Sequence, residues 1–309
     1  MRPPLTNLSS HSYTSQQEVR QTLSRRRALV AIAAFAGASS LARATLFRSD
    51  VESVIRLEHE VGGRIGLAVL DTANGHRLSH RADERFAMCS TFKLMLAAAI
   101  LSRVDSGSLQ LGQPVSFARA DILPTSPMGE AHPDGGSEPL SGMLQSLIES
   151  SDNTAANRLL TLIGGPAGYT AYLRSIGDPV TRLDRMELDL NSNLPGDARD
   201  ITTPHAMLED MRRVLLGNRL SSGSRERLCQ WMRDCKTGHD RLRARLPGGW
   251  EAGDKTGTGV RGAVNDLAIF FPPGRPPILI ACYLSESAAS REVLNSAHAR
   301  IGSLVASMM

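Results

Sequence analysis

With 309 residues, 41% of them hydrophobic and 21% charged, the chain is long and apolar enough for one large core or two lobes, and a disordered chain is excluded. The formal net charge of +4 does not indicate a nucleic-acid partner, because residues 1–44 contain six arginines and one glutamate. Without them the chain carries 29 basic and 30 acidic residues.

Residues 1–44 have the pattern of an export signal. Arg25-Arg26-Arg27 precedes an apolar run from Ala28 to Leu41, and Ala42-Arg43-Ala44 fits a cleavage site. The paired arginines and the alanine-rich run resemble a twin-arginine leader, which exports proteins already folded. The run is too short to span a bilayer, which argues against a membrane anchor. A periplasmic mature chain of residues 45–309 is expected.

The first elements after this segment are predicted to be a helix, a hairpin and a second helix. Apolar spacing from Asp50 to Val61 indicates a helix, and residues 64–70 alternate like a strand. The turn Asn74-Gly75 tolerates positive φ and would join that strand to a partner at 76–82. The stretch from Leu94 to Leu101 is apolar on all sides, so it predicts a buried helix.

Helices and then strands are predicted for the rest of the chain. Residues 140–235 have helical patterns, interrupted by glycine and proline turns and by a long polar stretch from Arg185 to Pro204. Residues 266–271 and 278–284 are predicted strands, and a last helix is predicted over 286–307.

This order predicts an α/β fold of the two-lobed α+β kind. An antiparallel sheet flanked by helices would be built from both chain ends, with an all-helical lobe inserted between them. The sheet lobe is expected at about 45–84 and 236–309, and the helical lobe at about 85–235, within a single catalytic domain. The active site is expected in the cleft between the lobes.

The four cysteines, at positions 89, 229, 235 and 282, have no metal-ligand spacing. Cys229 and Cys235 are six residues apart in a predicted helix, hence on different faces, which argues against a bridge between them. Buried free thiols are the expected state. The sequence predicts no metal and no cofactor.

Lysine is rare in this chain and marks three short motifs. Only Lys93, Lys236 and Lys255 occur beside 32 arginines, and a lysine exchanges protons readily because burial lowers its pKa. Ser90-Thr-Phe-Lys93, Ser151-Asp-Asn153 and Lys255-Thr-Gly257 follow one another in this order. Such a set suits serine acyl transfer with lysine and serine as proton carriers. A further copy, Lys236-Thr-Gly238, has no predicted strand close enough to present it and is interpreted as a chance repeat.

The motif set resembles that of the serine β-lactamases and penicillin-binding proteins. In addition, Arg185-Met-Glu187-Leu-Asp-Leu-Asn191 resembles the omega loop of class A β-lactamases, and similarity to class A extends from about residue 50 to the C-terminus. The resemblance implies a monomer that binds a small-molecule β-lactam. It would hydrolyse penicillins and cephalosporins through a serine acyl-enzyme and so confer antibiotic resistance.

The resemblance implies four catalytic residues. Ser90 is the expected nucleophile, and Lys93 lies one helical turn along on the same face. Ser151 would relay a proton to the leaving nitrogen, and Glu187 would hold the water that attacks the acyl-enzyme. Either Lys93 or Glu187 could accept the Ser90 proton. The backbone N–H groups of Ser90 and Thr258 would form the oxyanion hole.

Substrate-binding residues are expected around these four. Lys255 would attract the substrate carboxylate, Asn153 would hold Lys93 and the substrate amide, and Asn191 would hold the hydrolytic water with Glu187. Threonine hydroxyls after Lys255 would add hydrogen-bond donors. The expected set is Asn153, Asn191, Arg241, Lys255, Thr256, Gly257 and Thr258.

Some positions depart from the class A pattern at the carboxylate end and beside the nucleophile. Val264 stands where many members carry a carboxylate-binding arginine, so Arg241 is the expected substitute and Arg261 the second candidate. Certain carbapenem-hydrolysing members pair a cysteine before the nucleophile with one just after K-T-G. Cys89 is present here, but Gly259 and its neighbours offer no partner.

The predicted omega loop also shows expected contacts and departures. Arg185 and Asp200 are expected to hold its ends as an ion pair. Met186 and Leu188 replace a common tryptophan and proline, and Thr125 replaces a frequent aromatic residue at the cleft wall.

Two other functions share the three motifs. A D-alanyl-D-alanine peptidase or penicillin-binding protein would not need the pair Glu187 and Asn191, and the lack of a predicted membrane anchor also argues against it. A non-hydrolysing β-lactam receptor domain would stop at the acylated serine and would normally need a transmembrane segment to signal.

Overall fold

A five-stranded antiparallel sheet forms one side of the cleft. The computed structural model describes Met1 and residues 50–308, so the predicted export signal lies outside the described residues. The strands are β1 (Arg64–Asp71), β2 (Arg77–His80), β3 (Phe86–Ala87), β4 (Pro114–Ala118), β5 (Gly135–Pro139), β6 (Ile201–Thr202), β7 (Glu251–Thr258), β8 (Val264–Phe271) and β9 (Ile278–Ser285). The large sheet has the order β2-β1-β9-β8-β7, and β3 pairs with β6 and β4 with β5.

The sheet is assembled from both ends of this region. Strand β1 pairs with β9 along its whole length, from Arg64 opposite Ser285 to Asp71 opposite Ile278. Nearly every residue of β1, β8 and β9 is buried, not every second one as an alternating pattern would give. Successive side chains point to opposite faces, so both faces of the sheet are covered.

Helices make up the rest of the described structure. They are α1 (residues 50–61), α2 (Phe92–Asp105), α3 (Pro127–Glu130), α4 (Leu140–Glu149), α5 (Asn153–Ile163), α6 (Gly165–Ile176), α7 (Pro204–Met211), α8 (Ser222–Arg233) and α9 (Arg291–Ser307). Helix α7 packs on β1 and β9, and α9 packs on β8. None of the described helices combines the length and apolarity that crossing a bilayer demands.

Helix α2 is the centre of the helical lobe. Every residue from Phe92 to Leu101 is buried, including Lys93, and the helix packs against α4, α5, α6 and α8. The buried helix predicted there is confirmed. An apolar helix without a polar face needs neighbours on all sides, and the surrounding helices supply them.

The predicted helix breaks are also found. Gly164, at φ +93°, ends α5, and Gly177, at φ +96°, ends α6, because both positions need the left-handed conformation that glycine adopts without strain. The last helix begins at Arg291, later than predicted, since the Ser290 hydroxyl caps it by accepting from the backbone N–H of Val293. The order of elements confirms the predicted α+β fold, with the cleft between sheet and helices.

Candidate active site

Ser90 lies in a single turn of 3₁₀-helix, Cys89–Thr91, that leads directly into α2. The turn is tied to the sheet by Asn265 of β8, whose Nδ2 donates to the carbonyl oxygens of Ala87 at 2.9 Å and Met88 at 3.1 Å. Ser90 therefore stands at the N-terminal end of a long buried helix, where the helix dipole favours negative charge.

Lys93 is fully buried but has four oxygen partners, of which Ser151 Oγ, at 3.4 Å, is the most distant. Its Nζ lies 2.6 Å from Asn153 Oδ1, 2.7 Å from the carbonyl oxygen of Ser151 and 2.9 Å from Glu187 Oε1. Burial lowers the pKa of Lys93, and the neighbouring Glu187 carboxylate opposes that shift. A lysine held this way gives up a proton more readily than an exposed lysine does.

Glu187 touches both the nucleophile and the lysine. Its Oε1 accepts from Ser90 Oγ at 3.2 Å and lies against Lys93 Nζ, while its Oε2 accepts from Asn191 Nδ2 at 2.7 Å. The Glu187 side chain has no exposed surface. A carboxylate is thus fixed beside Ser90, with Asn191 on its other oxygen.

The main chain at Glu187 is held by Asn157 of α5. Asn157 Nδ2 donates to the carbonyl oxygen of Glu187 at 2.9 Å, and the backbone N–H of Glu187 donates to Asn157 Oδ1 at 2.9 Å. Asn157 was not among the residues predicted from the sequence. Its position four residues after Asn153, on the same helix face, is the signal that could have revealed it.

The ends of the loop are joined by the expected ion pair. Arg185 Nε donates to Asp200 Oδ2 at 2.6 Å. Asp200 Oδ1 also accepts from the backbone N–H groups of Asp184 at 2.7 Å and Arg185 at 2.9 Å. Asp200 is fully buried, so these charge-assisted hydrogen bonds are needed to satisfy its carboxylate.

Ser151 connects the two buried lysines. Its Oγ accepts from Lys255 Nζ at 2.9 Å and lies 3.4 Å from Lys93 Nζ. The next residue, Asp152, fixes the motif because its Oδ1 caps α5 by accepting from the backbone N–H of Ala155 at 2.8 Å. Ser151 is therefore placed to receive a proton from either lysine.

Lys255 is presented by the edge strand β7. It is fully buried, and its Nζ donates to Ser151 Oγ and to the carbonyl oxygen of Thr256, the next residue. Burial, together with the positive charge of Lys93, lowers the pKa of Lys255 to about 7. A side chain at Gly257 would meet the carbonyl oxygen of Met88 at 2.8 Å, so glycine lets this strand approach the Ser90 turn closely.

Arg241 reaches the same end of the cleft from outside the sheet. Its Nη2 donates to Thr258 Oγ1 at 2.7 Å, its Nη1 to the carbonyl oxygens of Gly257 at 3.0 Å and Asn265 at 2.6 Å, and its Nε to Asn295 Oδ1 at 3.1 Å. Burial lowers the pKa of Arg241.

The second candidate for the carboxylate position lies elsewhere. Arg261 occupies the turn between β7 and β8, with φ +55°, and does not line the cleft. Val264 is buried in β8, and its carbonyl oxygen contacts His298 Nε2 at 2.9 Å. Of the two arginines, Arg241 is the one that the structure places at the cleft.

These groups surround a cleft of about 510 Å³, within the range of small-molecule sites. Lys93, Glu187 and Lys255 lie directly behind it, in contact with lining side chains. The lining residues are Ser90, Thr125, Ser150, Ser151, Asn153, Leu188, Asn191, Thr237, Arg241, Thr256, Gly257, Thr258, Arg291 and Asn295.

Three of the eight described residues other than glycine that have a positive φ lie beside this cleft. Cys89 has φ +46°, Thr125 φ +59° and Ser151 φ +60°. In residues other than glycine this conformation costs roughly 1–3 kcal/mol and is most common at functional sites. The strain falls on the residue before Ser90, on Thr125 in the cleft wall and on Ser151, which connects the two lysines.

The segment Lys236-Thr-Gly238, interpreted above as a chance repeat, reaches the cleft through one of its three residues. Lys236 is largely exposed and lies 3.6 Å from Glu149, so it takes no part in the cleft. Thr237, in contrast, lines the cleft, and its Oγ1 lies 2.5 Å from Thr256 Oγ1. Arg291 and Asn295 of α9 also line the cleft and were missed, because nothing local in the sequence connects them to β7.

All four cysteines are free, as expected, and only Cys229 is partly exposed. Burial raises the pKa of Cys89 to about 12. A Cβ at Gly259 would come within 2.7 Å of Cys89 Sγ, so glycine occupies the place where a bridging cysteine would stand. Among the described residues, no group of three His, Cys, Asp or Glu side chains is placed to hold a metal ion.

Comparisons with known proteins agree with this geometry. The model of the β-lactamase enzyme family matches residues 47–308. The carbapenem-hydrolysing β-lactamase KPC of Klebsiella oxytoca is 44% identical over 233 residues, covering 75% of this chain and 79% of the relative. β-Lactamase AER-1 of Aeromonas hydrophila is 41% identical over 252 residues, covering 82% and 83%.

Solved structures give the same result. An ancestral class A β-lactamase superposes with a TM-score of 0.82 at 49% identity, covering 84% of this chain and all of that one. The putative class A β-lactamase PenP of Rhodopseudomonas palustris also gives 0.82, at 46% identity, with 84% and 100% covered. The chain belongs to the class A serine β-lactamases.

Proposed function

We propose that the protein hydrolyses the β-lactam amide of penicillins and cephalosporins through an acyl-enzyme on Ser90. The observation that carries this proposal is the position of Glu187, which accepts from Ser90 Oγ at 3.2 Å and from Asn191 Nδ2 at 2.7 Å. An enzyme that only becomes acylated needs no carboxylate at this place. One that releases the acyl group needs a base for the attacking water.

In acylation, Ser90 Oγ attacks the lactam carbonyl carbon. Its proton moves toward Glu187 Oε1, which accepts the Ser90 hydrogen bond and lies 2.9 Å from Lys93 Nζ. The backbone N–H groups of Ser90 and Thr258 stabilise the oxyanion. As the ring opens, the lactam nitrogen takes a proton from Ser151 Oγ. Lys93, 3.4 Å from that oxygen, replaces this proton and takes the Ser90 proton from Glu187, which becomes a carboxylate again.

In deacylation, a water lies between the Glu187 carboxylate and the Asn191 side chain. Glu187 takes a proton from this water while the oxygen attacks the ester carbonyl of the acyl-enzyme. The bond to Ser90 Oγ breaks, and Ser90 recovers a proton. General-base assistance of this kind contributes about 10²–10⁴ in rate.

The substrate carboxylate binds at the strand β7 end of the cleft. Lys255, Thr256 and Thr258 provide an ammonium and two hydroxyls there, and Arg241 lies behind Thr258. Asn153 accepts from Lys93 Nζ at 2.6 Å and lines the cleft, where its side chain would contact the substrate amide. The peptidase and receptor alternatives have no use for the contact between Glu187 and Ser90.

Location and assembly are part of the same proposal. Arg25-Arg26 and the apolar run that follows them support export by the twin-arginine route, with cleavage near Ala44 and a monomeric, unanchored enzyme in the periplasm. An exported β-lactamase acts on the antibiotic before it reaches its target, and so confers resistance.

The test is steady-state hydrolysis by purified residues 45–309, measured with a penicillin, a cephalosporin and, because one relative is named for it, a carbapenem. Turnover of the penicillin and the cephalosporin is expected. An enzyme that binds one equivalent of penicillin and then stays acylated would contradict the proposal and support the peptidase or receptor function.

A further inference from the structure

The second lysine-threonine-glycine segment lies directly against the first. A Cβ at Gly238 would come within 2.1 Å of Asp254 Oδ2, so only glycine allows the segment to pack on the start of the Lys255 motif in β7. This packing brings Thr237 Oγ1 to 2.5 Å from Thr256 Oγ1 and into the cleft lining.

The threonine hydroxyls of β7 are the donors closest to where a substrate carboxylate would lie. Thr256 and Thr258 are two residues apart and so share one face of the strand. Each hydroxyl has a single proton. It can donate that proton to a carboxylate only if its other contacts do not require it.

Thr258 is kept free to donate by Arg241. The Nη2 group of Arg241 donates to Thr258 Oγ1 at 2.7 Å, and a guanidinium has no acceptor, so the direction of this hydrogen bond is fixed. The Thr258 proton therefore points elsewhere. The other N–H contacts of Arg241 go to the Gly257 and Asn265 carbonyls and to Asn295.

Thr237 can act on Thr256 as Arg241 acts on Thr258, by donating a hydrogen bond to its hydroxyl oxygen. Its only other side-chain contact is Cys235 Sγ at 3.3 Å, and sulfur is a weak acceptor. The thiol keeps its proton because burial raises the pKa of Cys235 to about 12. Thr256 Oγ1 is thus a better acceptor than sulfur for the Thr237 hydroxyl proton, and donation in this direction leaves the Thr256 proton for the cleft.

We propose that Thr237 is a positioning residue for carboxylate recognition, which donates to Thr256 so that Thr256 can donate to the substrate carboxylate. This inference rests on the proposed β-lactam hydrolysis. It assigns a purpose to the second copy of the motif, whose lysine faces solvent while its threonine supports the first copy.

The experiment compares Thr237→Val, which keeps the shape and removes the hydroxyl, with the parent enzyme. Removing this donor is expected to raise KM for a penicillin about three- to tenfold with kcat nearly unchanged. Thr237→Ser should restore the parent KM, and Lys236→Ala, one residue away and exposed, should not alter it.

Two further measurements separate positioning from other effects. With the methyl ester of the same penicillin, which has no carboxylate, parent and Thr237→Val should have equal kcat/KM. On the free acid, adding Thr237→Val to Thr256→Val should bring no further loss, because Thr237 acts through Thr256.

An unchanged KM in Thr237→Val, an equal loss on acid and ester, or additive losses in the double variant would each overturn the inference. A parent enzyme that does not turn over penicillin would contradict the proposed function instead, so the two failures are distinguishable.

Discussion

The two walls of the cleft differ in the side chains that they present to the substrate. The helical wall consists of Ser90, Lys93, Ser151, Asn153 and Glu187, and the strand wall consists of Arg241, Lys255, Thr256 and Thr258. In the helical wall the charged side chains of Lys93 and Glu187 have no exposed surface and contact each other at 2.9 Å. In the strand wall, Arg241 and the hydroxyls of Thr256 and Thr258 line the cleft, and Lys255 lies behind them.

This difference indicates which kinetic constant each wall controls. Buried charges in mutual contact exchange protons with little rearrangement, so damage to the helical wall should lower kcat. A row of donors facing the cleft binds the substrate and its transition state about equally, so damage to the strand wall should raise KM. Each substitution described next alters one wall, and the kinetic constant that the other wall controls should change little.

The largest of these effects is expected from Asn157→Ala, which frees Glu187 without touching the substrate. Both backbone groups of Glu187 lose their partner, so the carboxylate is no longer fixed beside Ser90. We expect kcat to fall roughly tenfold to a hundredfold. The control is Asn193→Ala, which loosens the far side of the loop, where Asn193 contacts Ser285 Oγ at 3.1 Å. Equal losses in the two variants would mean that loop mobility in general, and not Glu187, limits turnover.

The next effect is expected from Arg241→Ala in the strand wall. The substitution removes the cation and the donor that orients Thr258, so KM should rise about tenfold while kcat changes much less. Arg261→Ala should leave KM at the parent value because Arg261 does not line the cleft. If only the Arg261 variant raises KM, the carboxylate site has been assigned to the wrong arginine.

A smaller effect is expected in the pH dependence of kcat/KM. The pKa of Lys255 is lowered to about 7, so its ammonium is present below that pH and is lost as pH rises through it. The kcat/KM for a carboxylate substrate should therefore fall above about pH 7. In Lys255→Arg this fall in kcat/KM should move to much higher pH, since a guanidinium stays protonated. If the fall stays at the same pH, the group that titrates belongs to the helical wall, where burial also lowers the pKa of Lys93.

In the helical wall, short spacing predicted only some of the contacts, and the positions of Ser151, Asn153 and Glu187 beside Lys93 were expected from the resemblance to class A. Ser90 and Lys93 are one turn apart on a helix whose apolar composition predicts burial, and Glu187 and Asn191 are four residues apart in one loop. Contacts that depend on such short spacing follow from the sequence. Arg185 and Asp200 were also expected to pair, and do so at 2.6 Å.

The strand wall depends on contacts between distant segments. Thr237 was misjudged because the packing of Gly238 on Asp254 is invisible in a local pattern. Asn295 reaches Arg241 across 54 positions, and only the docking of α9 on the sheet brings them together. A sheet flanked by helices was predicted, but which helices cover each face was not, because that depends on contacts between distant segments.

The central claim is that Glu187 is the base that releases the acyl group from Ser90. Intact-protein mass spectrometry after mixing Glu187→Ala with a penicillin tests it most directly, with Ser90→Ala as the control that cannot be acylated. We expect the Glu187 variant to carry one drug molecule for far longer than the parent, and the Ser90 variant to carry none. Parent-like turnover in Glu187→Ala, with no lasting adduct, would contradict the claim.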